Sequence, residues 1–573
     1  MASEPKKVDR RKFLYAGLGV VALIAIGAAT YVAMNPPVVT QTVPTTSVVT
    51  TTSVVPTTSV VTTTSVVPTT SVVTTTSVVP TTSVVTTTVS TVPATVSERA
   101  INGARVLVAS GKVPKGATIR ILHVAGSRAQ IEAAIPSWES ATGTKVELVT
   151  VGTEGDVYTK AMQEAVTKSG AYDAITIFST WNGDLIEAGL ARPLDDFYEK
   201  YDPGYGSNAP CSPIEPLASY VTKYKGKRYT VDLDADVYTL TYRKDLFENS
   251  EYQNGFKKQY GYDLKPPETW DQVLDIAKFF TELKLKAPTG APFYGAYFYA
   301  EPRFAAYTTW ITIFTSLGGI LWDTKTMDAK VDSKEGLDAL NKMIKLIPYM
   351  PPSALTAGWA DLYDRYAKGE VAMAMAWPSM IKEAERPEAF TKGKNGVSLV
   401  PGSYVDVGGT RKLIRAAPNP VNWVGIVSNY AKYPELAYLF LQYMTSPEIG
   451  PTVILSGTIL DPFRQCWFHG SYRDVMEAGY TPEFLDAFEE SIAHSFPDIV
   501  IRGGGEYTGK LTENVNAAMT GTKDPEKALS DTASEWDKIT DKYGRSDQLT
   551  AWQALVNLFP DDVKEVWKAK GYL

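Results

Sequence analysis

Residues 231–247, VDLDADVYTLTYRKDLF, place three carboxylates at alternate positions: Asp232, Asp234 and Asp236. Alternate acids suit three chemistries: a cation-binding loop, a catalytic pair, or polar contacts to a hydroxylated ligand. A twelve-residue calcium loop is excluded. The acids fit its positions 1, 3 and 5, but Val237 stands where the sharp-turn glycine belongs and Arg243 where the bidentate glutamate belongs. Carboxylates two apart on one strand face stand ~6.6 Å apart, a separation within the inverting-glycosidase range. Neighbours on one strand, however, do not flank a bond from opposite sides. The third reading requires the acids to face a cleft that other elements must build.

Other reactive groups are sparse. His123, His469 and His494 are scattered, with no His-Glu-x-x-His. The two cysteines form no metal motif, so neither metal nor cofactor is expected. Cys211 and Cys466 pair in an oxidising compartment or remain separate thiols. GGEYTGKL from Gly504 approximates a phosphate-binding loop, but Leu511 replaces its Ser/Thr. No Gly-x-Ser-x-Gly elbow exists. The formal charge of −7 divides into +3 on residues 1–37, none on 38–97 and −10 on the remainder. So acidic a body argues against a nucleic-acid partner.

The elements that would position a site begin at Thr118. TIRILHV, TKVELVTVG and YDAITIF read as strands, separated by helical periodicity in RAQIEAAIPSWESATG and VYTKAMQEAVTKSG. This alternation predicts a mostly parallel sheet, with ligand sites at the carboxyl ends of its strands. PPETWDQVLDIAKFFTEL is a helix capped by Thr269, EVAMAMAW a buried strand, and TGKLTENVNAAMTG and DPEKALSDTASEWDKITDKYG closing helices. Some 450 residues exceed one core, so two α/β lobes are expected.

Upstream, Phe13–Met34 is an uncharged, mostly apolar run of 22 residues behind a basic flank, long enough to span a bilayer with its N-terminus inside. Arg10 and Arg11 resemble a twin-arginine export signal. A retained anchor is favoured over a cleaved signal peptide because the run is long. PTTSVVTTTSVV then recurs from Pro44, Pro56 and Pro68. Thr and Ser with regular Pro predict a disordered, O-glycosylated stalk over residues 38–97.

The collinear segments IPSWESATGTKVELV, YDAITIFSTWNGDLIEAGLARPLDDF, YKGKRYTVDLDADVYTLTYRKDLFE, SLGGILWD, YAKGEVAMAMAWPSM and VGIVSNYAKYPELAYLFLQYMTSPE resemble extracellular solute-binding proteins of family 1, of the sugar-type, maltose-binding-protein-like group. The resemblance spans about residues 118–545. It implies a class II periplasmic-binding-protein fold with a ligand cleft between two lobes, 118–231 plus 403–456 and 237–400 plus 463–573. It implies crossings near 231–236, 400–403 and 457–462. It further implies a non-enzymatic role at the cell surface: capture of a sugar or oligosaccharide and delivery to ABC permease subunits. By position within the family pattern, the ligand-binding candidates are Thr180, Trp181, Asn182, Asp236, Glu301, Arg303, Trp377, Ser379, Asn422 and Trp423, with Trp359 a weaker choice. A surface-anchored glycoside hydrolase and a non-catalytic adhesin are the alternatives.

Overall fold

The structure, a computed structural model, describes residues 94–206, 209–302 and 305–573. The expected anchor, nearly all of the expected stalk, and Arg303 lie outside the described residues. Among the described residues, no helix is long and apolar enough to cross a membrane.

The predicted alternation forms a five-stranded sheet. Strands β1 (Thr118–Val124), β2 (Lys145–Val151) and β3 (Ala174–Phe178) are parallel, with β1 between the other two. Every β3 residue but the last is buried, as expected when helices cover both faces. The returning helix Glu154–Thr167 starts at a reciprocal cap, in which Thr153 and Asp156 satisfy each other's backbone amides. After the small hairpin β4 (Lys223–Tyr224) and β5 (Lys227–Arg228), strand β6 (Thr230–Asp232) ends this stretch of chain. The sheet is completed from far downstream by β13 (Trp423–Val427), antiparallel to both β3 and β6.

A helix at Val96–Ala109 was not anticipated, and it begins inside the segment assigned to the stalk. It buries Val96, Ala100, Ala104 and Leu107 and packs on the helix Pro434–Met444. The approach is close at Gly103, where a Cβ would stand 2.8 Å from the Tyr201 ring.

The second sheet is antiparallel: β7 (Thr239–Arg243) lies between β8 (Met373–Ala376) and β9 (Asn395–Ser398). Beside it the helix Trp270–Glu282 starts at the predicted Thr269 cap, with Gln272 closing the reciprocal bond. The C-terminal helices enclose Trp322, Trp536 and Trp552, with the first two stacked at 4.6 Å.

The segments joining the sheets differ from expectation at two places. The hairpin β10 (Ser403–Val407) and β11 (Thr410–Ile414) was assigned to the first lobe. It packs instead on helices Ala305–Ser316 and Asp561–Ala569, both within the stretches expected for the second. Ser316 and Ser403 share a hydrogen bond at 2.9 Å, and Lys412 pairs with Glu565 at 2.6 Å. The chain rejoins the first sheet only after β12 (Ala417–Asn419), which runs parallel to β14 (Ser495–Pro497). The crossing expected near 400–403 therefore falls at about 417–422. Residues 463–468 were assigned to the second lobe but are tied to 211–214, within the stretch expected for the first. Ile214 donates to the Phe463 carbonyl, Gln465 to that of Ser212, and Cys211 and Cys466 form a disulfide. Arg464, fully buried, donates to the carbonyls of Thr445, Cys211 and Pro203 at 2.8–3.0 Å.

Candidate functional site

A cavity of 170 Å³ opens where the end of β3, the segment after β6 and the segment after β8 meet. Aromatic rings form much of its wall. Phe178 and Trp423 lie opposite each other in the β3–β13 register and meet edge to face at 4.7 Å. Trp377 follows β8, donates its indole N–H to the Pro420 carbonyl at 3.3 Å, and is boxed by Tyr238 and Tyr299 at 5.1 and 5.0 Å. Trp359 opens the helix Trp359–Ala367 and meets Tyr363 at 5.3 Å; it is 46% exposed. Polar groups are interspersed among the rings. Ser379 shares a hydrogen bond with the Tyr363 hydroxyl at 2.7 Å, and Glu154, Asp236, Glu301 and Thr458 supply carboxylates and a hydroxyl.

Of the residues expected to hold a ligand, Asp236, Glu301, Trp377, Ser379 and Trp423 come together in this cavity. Trp181 sits behind it, stacked on Tyr158 at 5.0 Å and on Phe178 at 5.6 Å. Thr180, Asn182 and Asn422 do not line it. The chain turns inward after Phe178, so the Thr180 hydroxyl donates to the buried Asp498 carboxylate. The Asn182 amide points to the Val221 carbonyl at 3.5 Å. Asn422, fully buried, donates to Asp232 Oδ1 at 3.0 Å and accepts from the Asp236 N–H at 3.0 Å, which pins the first crossing to the second.

Behind Asp236 lies a buried acid network that sequence reasoning missed. Asp234 Oδ1 accepts from the backbone N–H groups of Ala235 at 2.7 Å and Asp461 at 2.6 Å. The Asp461 carboxylate in turn accepts from the Tyr480 hydroxyl and pairs with Lys382 Nζ at 3.1 Å. Burial first, and the neighbouring Asp461 charge second, push Asp234 up to about 8. Burial and then the Asp234 charge raise Asp236 far above the carboxylate range, and burial raises Asp461. Charging the network at neutral pH therefore costs free energy unless a counter-charge is supplied. Nothing near Asp461 in the run ILDPF signals this role. Tyr363 was legible only as part of an amphipathic helix.

Residues 125–451 match the family model of bacterial extracellular solute-binding proteins. A probable amino-acid ABC transporter periplasmic-binding protein of Sinorhizobium fredii is 22% identical over 450 residues, covering 74% of this chain and 90% of that protein. A solute-binding protein of Agrobacterium radiobacter, solved with ribitol, superposes with a TM-score of 0.61 at 20% identity, over 74% of this chain and all of that one. Maltose-bound MalE3 of T. maritima gives 0.60 at 18% identity, again over 74% of this chain and all of that one. The chain shares the two-lobed, mixed α/β fold of these structures. With 57% of its length matched by the family model, the chain belongs to the bacterial extracellular solute-binding protein family.

Proposed function

We propose that this protein is the extracytoplasmic binding component of an ABC importer and captures a sugar or oligosaccharide between its lobes. The observation that carries this reading is the cavity wall, where Trp359, Trp377 and Trp423 stand among the carboxylates of Asp236 and Glu301 and the hydroxyl of Ser379. Sugar C–H faces stack on rings, and sugar hydroxyls pair with carboxylates. The relatives solved with ribitol and maltose support the same class. A free amino acid is less well served: among the described lining residues no Lys or Arg is present to meet its carboxylate. The ligand selects a closed arrangement of the lobes, and an ABC permease receives it. The run Phe13–Met34 anchors the body to the membrane.

A thermal-shift screen of mono- and oligosaccharides, polyols and amino acids tests the ligand class. A ligand at a hundredfold its Kd adds about 2.7 kcal/mol. With an unfolding entropy of about 1 kcal/mol/K for roughly 480 folded residues, this raises Tm by about 3 °C. A shift with amino acids or peptides and none with sugars overturns the assigned class.

A further inference from the structure

We propose that Asp234, Asp236 and Asp461 bind a divalent cation where the segments after β6 and before the 465–468 turn meet. The local loop lacks the rest of a calcium ligand set, but the fold brings in Asp461 from 227 residues away. One carboxylate oxygen from each of the three lies within 4.8 Å of the others. Carboxylate oxygens converging in this way suit a hard cation such as calcium or magnesium.

Charge and hydrogen bonding point the same way. Three ionised carboxylates with one ammonium, Lys382, leave a net of −2, and none of the four residues is more than 9% exposed. An uncompensated buried charge is strongly destabilising, and a divalent cation closes this balance. The Oδ1 atoms of Asp234 and Asp461 are already engaged, Asp234's by backbone amides and Asp461's by Tyr480 and Lys382. The Asp461 Oδ2 is buried with no hydrogen-bond partner among the described residues, and Asp234 and Asp236 face each other carboxyl to carboxyl. Buried carboxylate oxygens left in this way are rare in native proteins and call for an unseen partner. Because Asp236 also lines the cavity, the ion would brace the cleft from behind.

The test uses full-length protein without added solute, so it is independent of the sugar reading. After EDTA treatment and exchange into metal-free buffer at pH 7.5, the protein is melted with and without CaCl2 or MgCl2. Bound calcium is counted by mass spectrometry after desalting. The expected result is one calcium retained per chain and a Tm about 3 °C higher at a hundredfold the Kd. Asp461→Asn should lose both effects, and Asp184→Asn, a buried carboxylate elsewhere, should keep them. Terbium luminescence of the wild-type protein, competed by calcium, decides the matter even where Asp461→Asn does not fold. Equal Tm in EDTA and calcium with no retained ion overturns the proposal, as does undiminished retention by Asp461→Asn.

Discussion

Replacing Lys382 by Met keeps most of the side-chain stem and removes its ammonium group. In the native protein Nζ pairs with Asp461 at 3.1 Å and donates to the carbonyls of Leu460 at 2.8 Å and Gly457 at 3.4 Å. It also lies 5.2 Å from the centre of the Tyr480 ring. Deleting one member of a buried pair costs about 3–5 kcal/mol, because the remaining charge stays in low dielectric. For about 480 folded residues at ~2.1 cal/mol/K each, this lowers Tm by about 3–5 °C. The effect has a pH signature. Asp461 and Asp234 have folded pKa values raised above their unfolded ones. Their contribution is thus fully present below the unfolded carboxylate range and is lost as pH rises through the folded values. Removing the ammonium raises Asp461 further, so the deficit of Lys382→Met should be small at pH 5 and full at pH 9. Calorimetry in EDTA at both values measures it. A variant within 1 °C of wild type at pH 9, or a larger deficit at pH 5, refutes the reasoning.

Trp359→Ala should leave stability nearly unchanged, since the ring is half exposed at a helix start. Titration calorimetry with whichever sugar the thermal screen identifies should show about a tenfold weaker Kd, roughly 1.4 kcal/mol; unchanged affinity removes Trp359 from the site. The disulfide closes a separation of 255 residues. The chain-entropy model gives it roughly 5 kcal/mol, so Cys211→Ser or reduction should lower Tm by about 5 °C. An unaltered Tm shows that the cross-link constrains the unfolded chain far less than its length implies.

Much of the fold was legible because its signals are local. The parallel strands announce themselves in TIRILHV and AITIF, and the reciprocal cap of Thr269 and Gln272 needs only a three-residue spacing. Helix Val96–Ala109 was missed despite the helical spacing of Val96, Ala100, Ala104 and Leu107, because it abuts a low-complexity repeat that masks where folding begins. The placement of the β10–β11 hairpin was not legible. Ser316, Glu565 and the C-terminal helix decide it, and none of them is near in sequence.

The three alternating aspartates divide the same way. By itself, the sequence determined that Asp232, Asp234 and Asp236 alternate among hydrophobic residues, a property of adjacent positions; the strand they were expected to share ends at Asp232. Only the tertiary structure decided their roles. It gave Asp232 to the Asn422 amide, turned Asp236 to the cavity, and set Asp234 against Asp461. A carboxylate's chemistry depends on burial and on charges a few ångströms away, and those neighbours arrive from segments some 190–230 residues distant.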